Sequence, residues 1–307
     1  DNIEMIPGDD YAVALYGNSI VPGSMSDEEE PLFICQAFKA TGQPMELKIN
    51  TYDTGVYNLK KVNLKPTDQD NVSFSDPNSE NTKTLEYWAY AITSDGTAAG
   101  MFLKSDFYAH DLSLWVSAAN GNETAKYIFQ ATSTEQWNID KPHYFMKKMV
   151  SMPANPLDIP ETGLDVTLGG KDDLACISFG ESFYGYAVGG LALFDDVLHE
   201  AVIFHPFDLT QATNNESGNE DWNANPEMKQ FNDLYVSHGN YIADIAIGHS
   251  SINGNWGYWL EKDISLYAGE TLELNSSDNF TLKLEIDTSE KPEPDVSEYR
   301  PEETVVF

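Results

Sequence analysis

The sequence predicts an all-β protein with very little helix, an antiparallel β-sandwich or jelly-roll arranged as two β-domains. Three observations lead there. Apolar and polar residues alternate with a period of two along much of the chain, the signature of strands with one face in a core and one in solvent. Short clusters of Asn, Asp, Gly and Pro punctuate these stretches at the spacing of β turns. A 307-residue chain with 41% hydrophobic and 12% aromatic residues also has enough apolar material for a substantial core.

The strand assignments follow the alternation. Met45, Leu47 and Ile49 are interleaved with Glu46, Lys48 and Asn50. Leu164, Val166 and Leu168 alternate with Asp165 and Thr167, and Phe280, Leu282, Leu284 and Ile286 with Thr281, Lys283, Glu285 and Asp287. The continuous apolar runs Tyr241 to Ile247 and Leu191 to Phe194 read as strands buried on both faces. Turn clusters fall at Asp76-Pro77-Asn78-Ser79, Ser94-Asp95-Gly96, Asn120-Gly121-Asn122 and Asn253-Gly254-Asn255. The best helix candidate opens with Asn225 as N-cap and Pro226 in the first turn, with Met228, Phe231, Leu234 and Tyr235 on one face.

Between Met152 and Pro160 three prolines interrupt the pattern, and proline removes a backbone donor that a central strand needs. The expected organisation is therefore an N-terminal β-domain over 1–151, a proline-rich linker or crossover over 152–163, and a C-terminal β-domain over 164–286. Residues 287–307 form an acidic, proline-containing tail. It closes on Thr304, Val305, Val306 and Phe307, an uncharged β-prone tetrapeptide that could add as an assembly strand to the edge of a neighbour's sheet.

Charge excludes whole classes of partner. The chain carries 50 acidic residues against 17 basic ones, a formal net charge of −33, and Arg300 is its single arginine. Nucleic-acid binding needs clustered cations to neutralise phosphate, and an anionic bilayer attracts polybasic segments; neither is expected here. No apolar stretch approaches the ~18 residues of a transmembrane helix. The basic residues concentrate between Lys39 and Lys171, whereas Asp172 to Met228 contains none. Such polarity suits self-association of an acidic end with a more mixed face. A soluble, strongly acidic β-protein also fits an ion-rich extracellular or surface-displayed setting, on a cell or a virion. The chain begins at Asp1, and we expect a segment to have been removed ahead of it, so the lack of a signal peptide does not argue for cytoplasm.

Cys35 and Cys176 each sit in an apolar run, as two buried thiols or as a disulfide between the two halves; neither has metal-type spacing. The motifs that would specify a reaction fail on spacing. Gly248-His249-Ser250-Ser251 follows a buried strand, but a nucleophile elbow needs glycine where Ile252 stands. His199-Glu200 and His205 are six apart, too far on a strand to share a metal. No catalytic residues are assigned, and the balance of signals leans away from an enzyme.

Two candidate binding sets remain. Asp68, Asp70, Asp76, Asn78 and Glu80 crowd one loop with oxygen ligands suited to Ca²⁺, although without the glycine and final glutamate of an EF-hand. No other cofactor is implied. Trp222, Trp256, Tyr258 and Trp259 lie in or beside Asn-rich turns, where aromatic faces and polar side chains could hold a glycan; aromatics packed between sheets are the plainer alternative. The function expected from sequence is a non-catalytic structural or adhesive surface protein, a subunit of an appendage or virion surface. It would work by self-association or by binding other surface proteins. A carbohydrate-binding or carbohydrate-active protein is the alternative.

Overall fold

A computed structural model describes residues 6, 10–19, 30–39, 43, 59–76, 85–92, 98–106, 111–117, 126–133, 142–180, 187–195, 198, 200–204, 233–251, 254–275, 278 and 281–287. Within them the chain is almost entirely strand. The first eight strands are β1 (Asp10–Ser19), β2 (Glu30–Lys39), β3 (Leu59–Thr67), β4 (Leu85–Ile92), β5 (Ala98–Asp106), β6 (Leu112–Ser117), β7 (Lys126–Ser133) and β8 (His143–Ser151). A single 3₁₀ turn at Pro156–Asp158 precedes β9 (Leu164–Gly169), β10 (Leu174–Phe179), β11 (Ala187–Asp195), β12 (Glu200–Phe204) and β13 (Leu234–Ser237). The last four are β14 (Gly239–Ser251), β15 (Gly254–Leu266), β16 (Thr271–Leu274) and β17 (Thr281–Asp287). The expected strand around Met45 to Ile49 lies outside the described residues, as do residues 225–232 of the expected helix; its Leu234 and Tyr235 are instead the first residues of strand β13, where they pair with neighbouring strands, so the helix is corrected there.

These strands form three sheets. Sheet A has the order β1-β2-β6-β3-β9, sheet B β16-β10-β13-β8-β7-β4-β5, and sheet C β12-β11-β14-β15-β17. Sheet C is antiparallel throughout. Sheets A and B are mixed: β2 runs parallel to β6, β3 to β9, β8 to β13 and β10 to β16. The antiparallel architecture expected from sequence is therefore corrected to mixed sheets. Parallel neighbours need a long crossover between them, and no local sequence pattern announces one.

Alternation explains where the core sits. In β3, Val62 and Leu64 are buried while Lys61, Asn63 and Lys65 stay half-exposed. Their apolar face joins Phe33, Leu114, Val116, Val166 and Leu168 of sheet A to Tyr87, Tyr127, Phe129, Tyr144 and Met146 of sheet B in one buried cluster. A second cluster unites Phe145, Ala175, Ile177, Leu234 and Val236 of sheet B with Leu191, Leu193, Tyr241, Ala243 and Ile245 of sheet C. Tyr144 and Met146 thus serve one core and their neighbour Phe145 the other, so β8 is covered on both faces. Each fully buried side chain of this size contributes roughly 1.5–3 kcal/mol.

The runs expected to be buried on both faces are buried on one. Leu191, Leu193, Tyr241, Ala243 and Ile245 face sheet B, but Ala192, Phe194, Ile242 and Asp244 between them are only half-buried. These residues lie on the face of sheet C turned away from that core.

The proline-rich segment carries the chain from β8 in sheet B to β9 in sheet A. It anchors itself by burying Met152 and Ile159 in the first core. Strands from both sides of it share sheets: β9 pairs with β3, and β13 with β8. Gly169 ends β9 at φ +80°, where a Cβ would also meet the Thr67 carbonyl oxygen and the Met146 side chain.

Candidate functional site

Two polar constellations and one backbone edge stand out against this apolar framework. The first lies between sheets B and C. Alternation along β8 sends Lys147 to the same side as Phe145, towards sheet C. There its ammonium forms an ion pair with Asp195 at the end of β11, a residue with no exposed surface. The Lys147 Nζ also lies 4.7 Å from the centre of the Tyr241 ring, and Tyr241 is the cross-strand neighbour of Asp195. Asp195 Oδ1 accepts the Leu198 N–H at 3.1 Å.

Around the pair, hydroxyls fasten the strand ends together. The Lys147 backbone N–H donates to Ser237 Oγ at 2.9 Å, and Ser237 Oγ donates to Asp173 Oδ2 at 2.7 Å. Tyr241 donates its hydroxyl to the Ser237 carbonyl at 2.8 Å. Asp173 Oδ1 in turn lies 3.1 Å from His238 Nδ1. These groups link β8, β13, β14 and the start of β10.

The second constellation is a row on the opposite face of sheet B. Register places Tyr144 beside Tyr235, Tyr235 beside Cys176, and Cys176 beside Thr271, across β8, β13, β10 and β16. The two tyrosine rings stack at 5.4 Å, and Tyr144 donates its hydroxyl to Gln69 Oε1 at 2.6 Å. Burial, then the nearby carboxylates led by Asp68, holds the Tyr144 phenol neutral far above its ordinary range. Tyr235 is pushed up to about 12 by burial and by Cys176 and Asp233. Burial and Asp233 push the Cys176 thiol up to about 11, opposed by its hydrogen bond with Thr271. A protonated, buried thiol is a poor nucleophile. Cys176 is free, which removes the disulfide between the halves.

Of the calcium set, Asp68, Asp70 and Asp76 are described, and Asn78 and Glu80 lie outside the described residues. Asp68 is buried, and its Oδ1 accepts the N–H groups of Asp70 and Val72, both at 2.9 Å. That capping shapes the tight turn in which Asn71 takes φ +63°. Among the described residues no three His, Cys, Asp or Glu groups converge in a way that could hold a metal. Of the glycan set, Trp256, Tyr258 and Trp259 lie on β15, and Trp222 is outside the described residues. Trp256 pairs across the strands with His249 and Asp287, and Tyr258 with Ile247 and Glu285. His249, Ser250 and Ser251 continue β14 as extended strand, with no sharp turn to raise a serine nucleophile. Thr304, Val305, Val306 and Phe307 are outside the described residues.

The edge is β1. Among the described residues it pairs only with β2, through ten consecutive positions from Asp10 to Ser19 without a bulge. Natural edges are guarded by shortness, charge, proline or bulges. The other sheet edges have such guards: β9 is six residues with Asp165, β16 four with Glu273, and β12 five with Glu200. β5 contains Lys104 and Asp106, and β17 Lys283, Glu285 and Asp287. β1 is ten residues long, and only its first residue, Asp10, is charged. It also lies beside β5, the edge of sheet B, with Cα atoms within 8 Å.

The Lys147–Asp195 pair and the tyrosine row escape sequence reasoning because nothing in 50 acids and 17 bases marks two that meet. One signal was present: Lys147 falls in phase with the apolar Phe145, where a solvated lysine would not be expected. No helix in the described part is long and apolar enough to cross a membrane. Comparison of the chain with protein-family models, with curated proteins and with solved structures finds no match.

Proposed function

We propose that this protein is a non-catalytic structural or adhesive subunit of a surface assembly, on a cell appendage or a virion, working by self-association through strand addition. The observation that carries this reading is the β1 edge, which among the described residues pairs only with β2 and whose one charged residue is Asp10. An incoming strand would satisfy the outward backbone donors and acceptors of β1, a recurring mode of protein recognition. The donor we assign is Thr304 to Phe307, reaching a second copy on the acidic, proline-punctuated spacer that precedes it.

The test is association of the purified full-length chain, followed by sedimentation velocity and electron microscopy, beside a chain lacking residues 288–307. Defined oligomers or filaments that disappear on truncation support the reading. A full-length chain that stays monomeric at every concentration, indistinguishable from the truncated one, overturns it.

One observation favours glycan binding as a second reading. Trp256 and Tyr258 each stand directly across from a carboxylate residue of β17, Asp287 and Glu285. Aromatic and carboxylate residues at paired backbone positions of neighbouring strands are the residue types a sugar site uses. Glycan-array binding lost in Trp256→Ala, with the fold intact by circular dichroism, would support this reading. An array without hits would remove it.

A further inference from the structure

We propose that Lys147 and Asp195 are joined by an amide bond that the folded protein makes between its own side chains. The Asp195 carboxylate is completely buried, and the Lys147 side chain retains 14% of its surface. The two are in direct contact within an apolar enclosure. Phe145 and Leu193 sit two residues away on the same faces of β8 and β11, Tyr241 lies under the ammonium, and the buried Leu198 closes over Asp195. Strands of two different sheets hold the reacting groups together, so the entropy of bringing them together has already been lost in folding.

The chemistry balances without a co-reactant. The step begins with transfer of one proton from Lys147 Nζ to the Asp195 Oδ2 it touches, leaving an amine and a carboxylic acid. The Nζ lone pair then attacks Cγ, and negative charge develops on Oδ1. That oxygen already accepts the Leu198 N–H at 3.1 Å, so a fixed backbone dipole stabilises the tetrahedral intermediate. The Cγ–Oδ2 bond breaks, and Oδ2 departs as water with the transferred proton and a second proton from nitrogen. One hydrogen remains on the new amide.

The new carbonyl would keep the Leu198 N–H that Asp195 Oδ1 already accepts. The ion pairs Lys65–Asp165 and Lys262–Asp278 lack these features. Their side chains retain 41% and 58%, and 26% and 25%, of their surface, so water opposes condensation there.

The bond would tie sheet B to sheet C independently of any assembly by the chain. The test is the intact mass of the full-length protein in denaturant, followed by proteolysis. The expected result is a deficit of one water molecule, located in a branched peptide joining the segments around Lys147 and Asp195. Asp195→Ala and Lys147→Arg should restore the full sequence mass, and the wild-type measurement stands even if those variants fold poorly. A wild-type chain at full sequence mass, or a deficit mapping away from these two residues, overturns the proposal.

Discussion

Tyr144 and Tyr235 occupy the same register on the parallel strands β8 and β13, and their rings stack at 5.4 Å with an interplanar angle of 18°. Tyr144 also takes Phe74 edge-on at 5.0 Å and bonds Gln69 in the turn after β3. One side chain therefore couples sheet B to the loop that follows β3 of sheet A.

Tyr144→Phe removes only the hydroxyl and preserves both ring contacts. We predict a loss of about 1 kcal/mol, the net worth of one hydrogen bond, read as a lower urea midpoint with unchanged slope. Tyr144→Ala removes the ring as well and should cost about 3–5 kcal/mol. Equal effects of the two substitutions would contradict the assignment of the stack as the larger contribution.

Alkali should unfold the protein through the same row. Cys176 and Tyr235 have raised values in the folded chain, about 11 and about 12, against ordinary values of 9.0 and 10.0. A raised value means the folded state holds its proton more tightly than the unfolded state. The resulting stabilisation is fully present below pH 9.0 and is lost as pH rises towards about 12. Urea midpoints should be level below that window and fall through it, and peptide mapping should find Cys176 alkylated in denaturant but protected in the native chain. A midpoint that holds steady through this range would contradict the burial of the row.

With a net charge of −33 the folded chain repels itself, so salt should stabilise it. Raising ionic strength from about 0.01 M to 0.15 M shortens the screening length from about 30 Å to about 8 Å. Calorimetry should show the melting temperature rising by a few degrees. A falling temperature would mean that attractive pairs, such as Lys65–Asp165 and Lys262–Asp278, outweigh the general repulsion.

Strands with one solvated face were legible in the sequence. The alternation at Leu164 to Leu168 marks β9, where Asp165 and Thr167 are exposed between the buried Val166 and Leu168, and the alternation at Leu282 to Ile286 coincides with strand β17. Pairing was not legible. That β9 lies beside β3, across about a hundred residues, follows from crossovers and from which apolar faces meet, and period-two alternation is identical for parallel and antiparallel neighbours. The apolar runs at Leu191 and Tyr241 misled for a related reason: Ala192 and Ile242 are apolar residues on a half-buried face, and hydrophobicity alone does not record exposure.

The polar sites were less legible still. Asp195 precedes another aspartate and reads as part of a solvated acidic turn, yet it is the more deeply buried of the described carboxylates beside Asp68. Asp68 belongs to the acidic loop that composition suggests as a cation site, and its Oδ1 accepts two N–H groups of its own turn. In so acidic a chain, composition cannot separate a carboxylate that caps from one that binds.

The central claim, that β1 accepts a strand from the end of another copy, is tested most directly by hydrogen exchange. A chain ending at Asp287 would be mixed with a synthetic peptide of residues 288–307, with a scrambled peptide as control. The account predicts slowed exchange of amides between Asp10 and Ser19 with the native peptide alone. Unchanged exchange along β1, or protection confined to another edge such as β5 or β17, would contradict it.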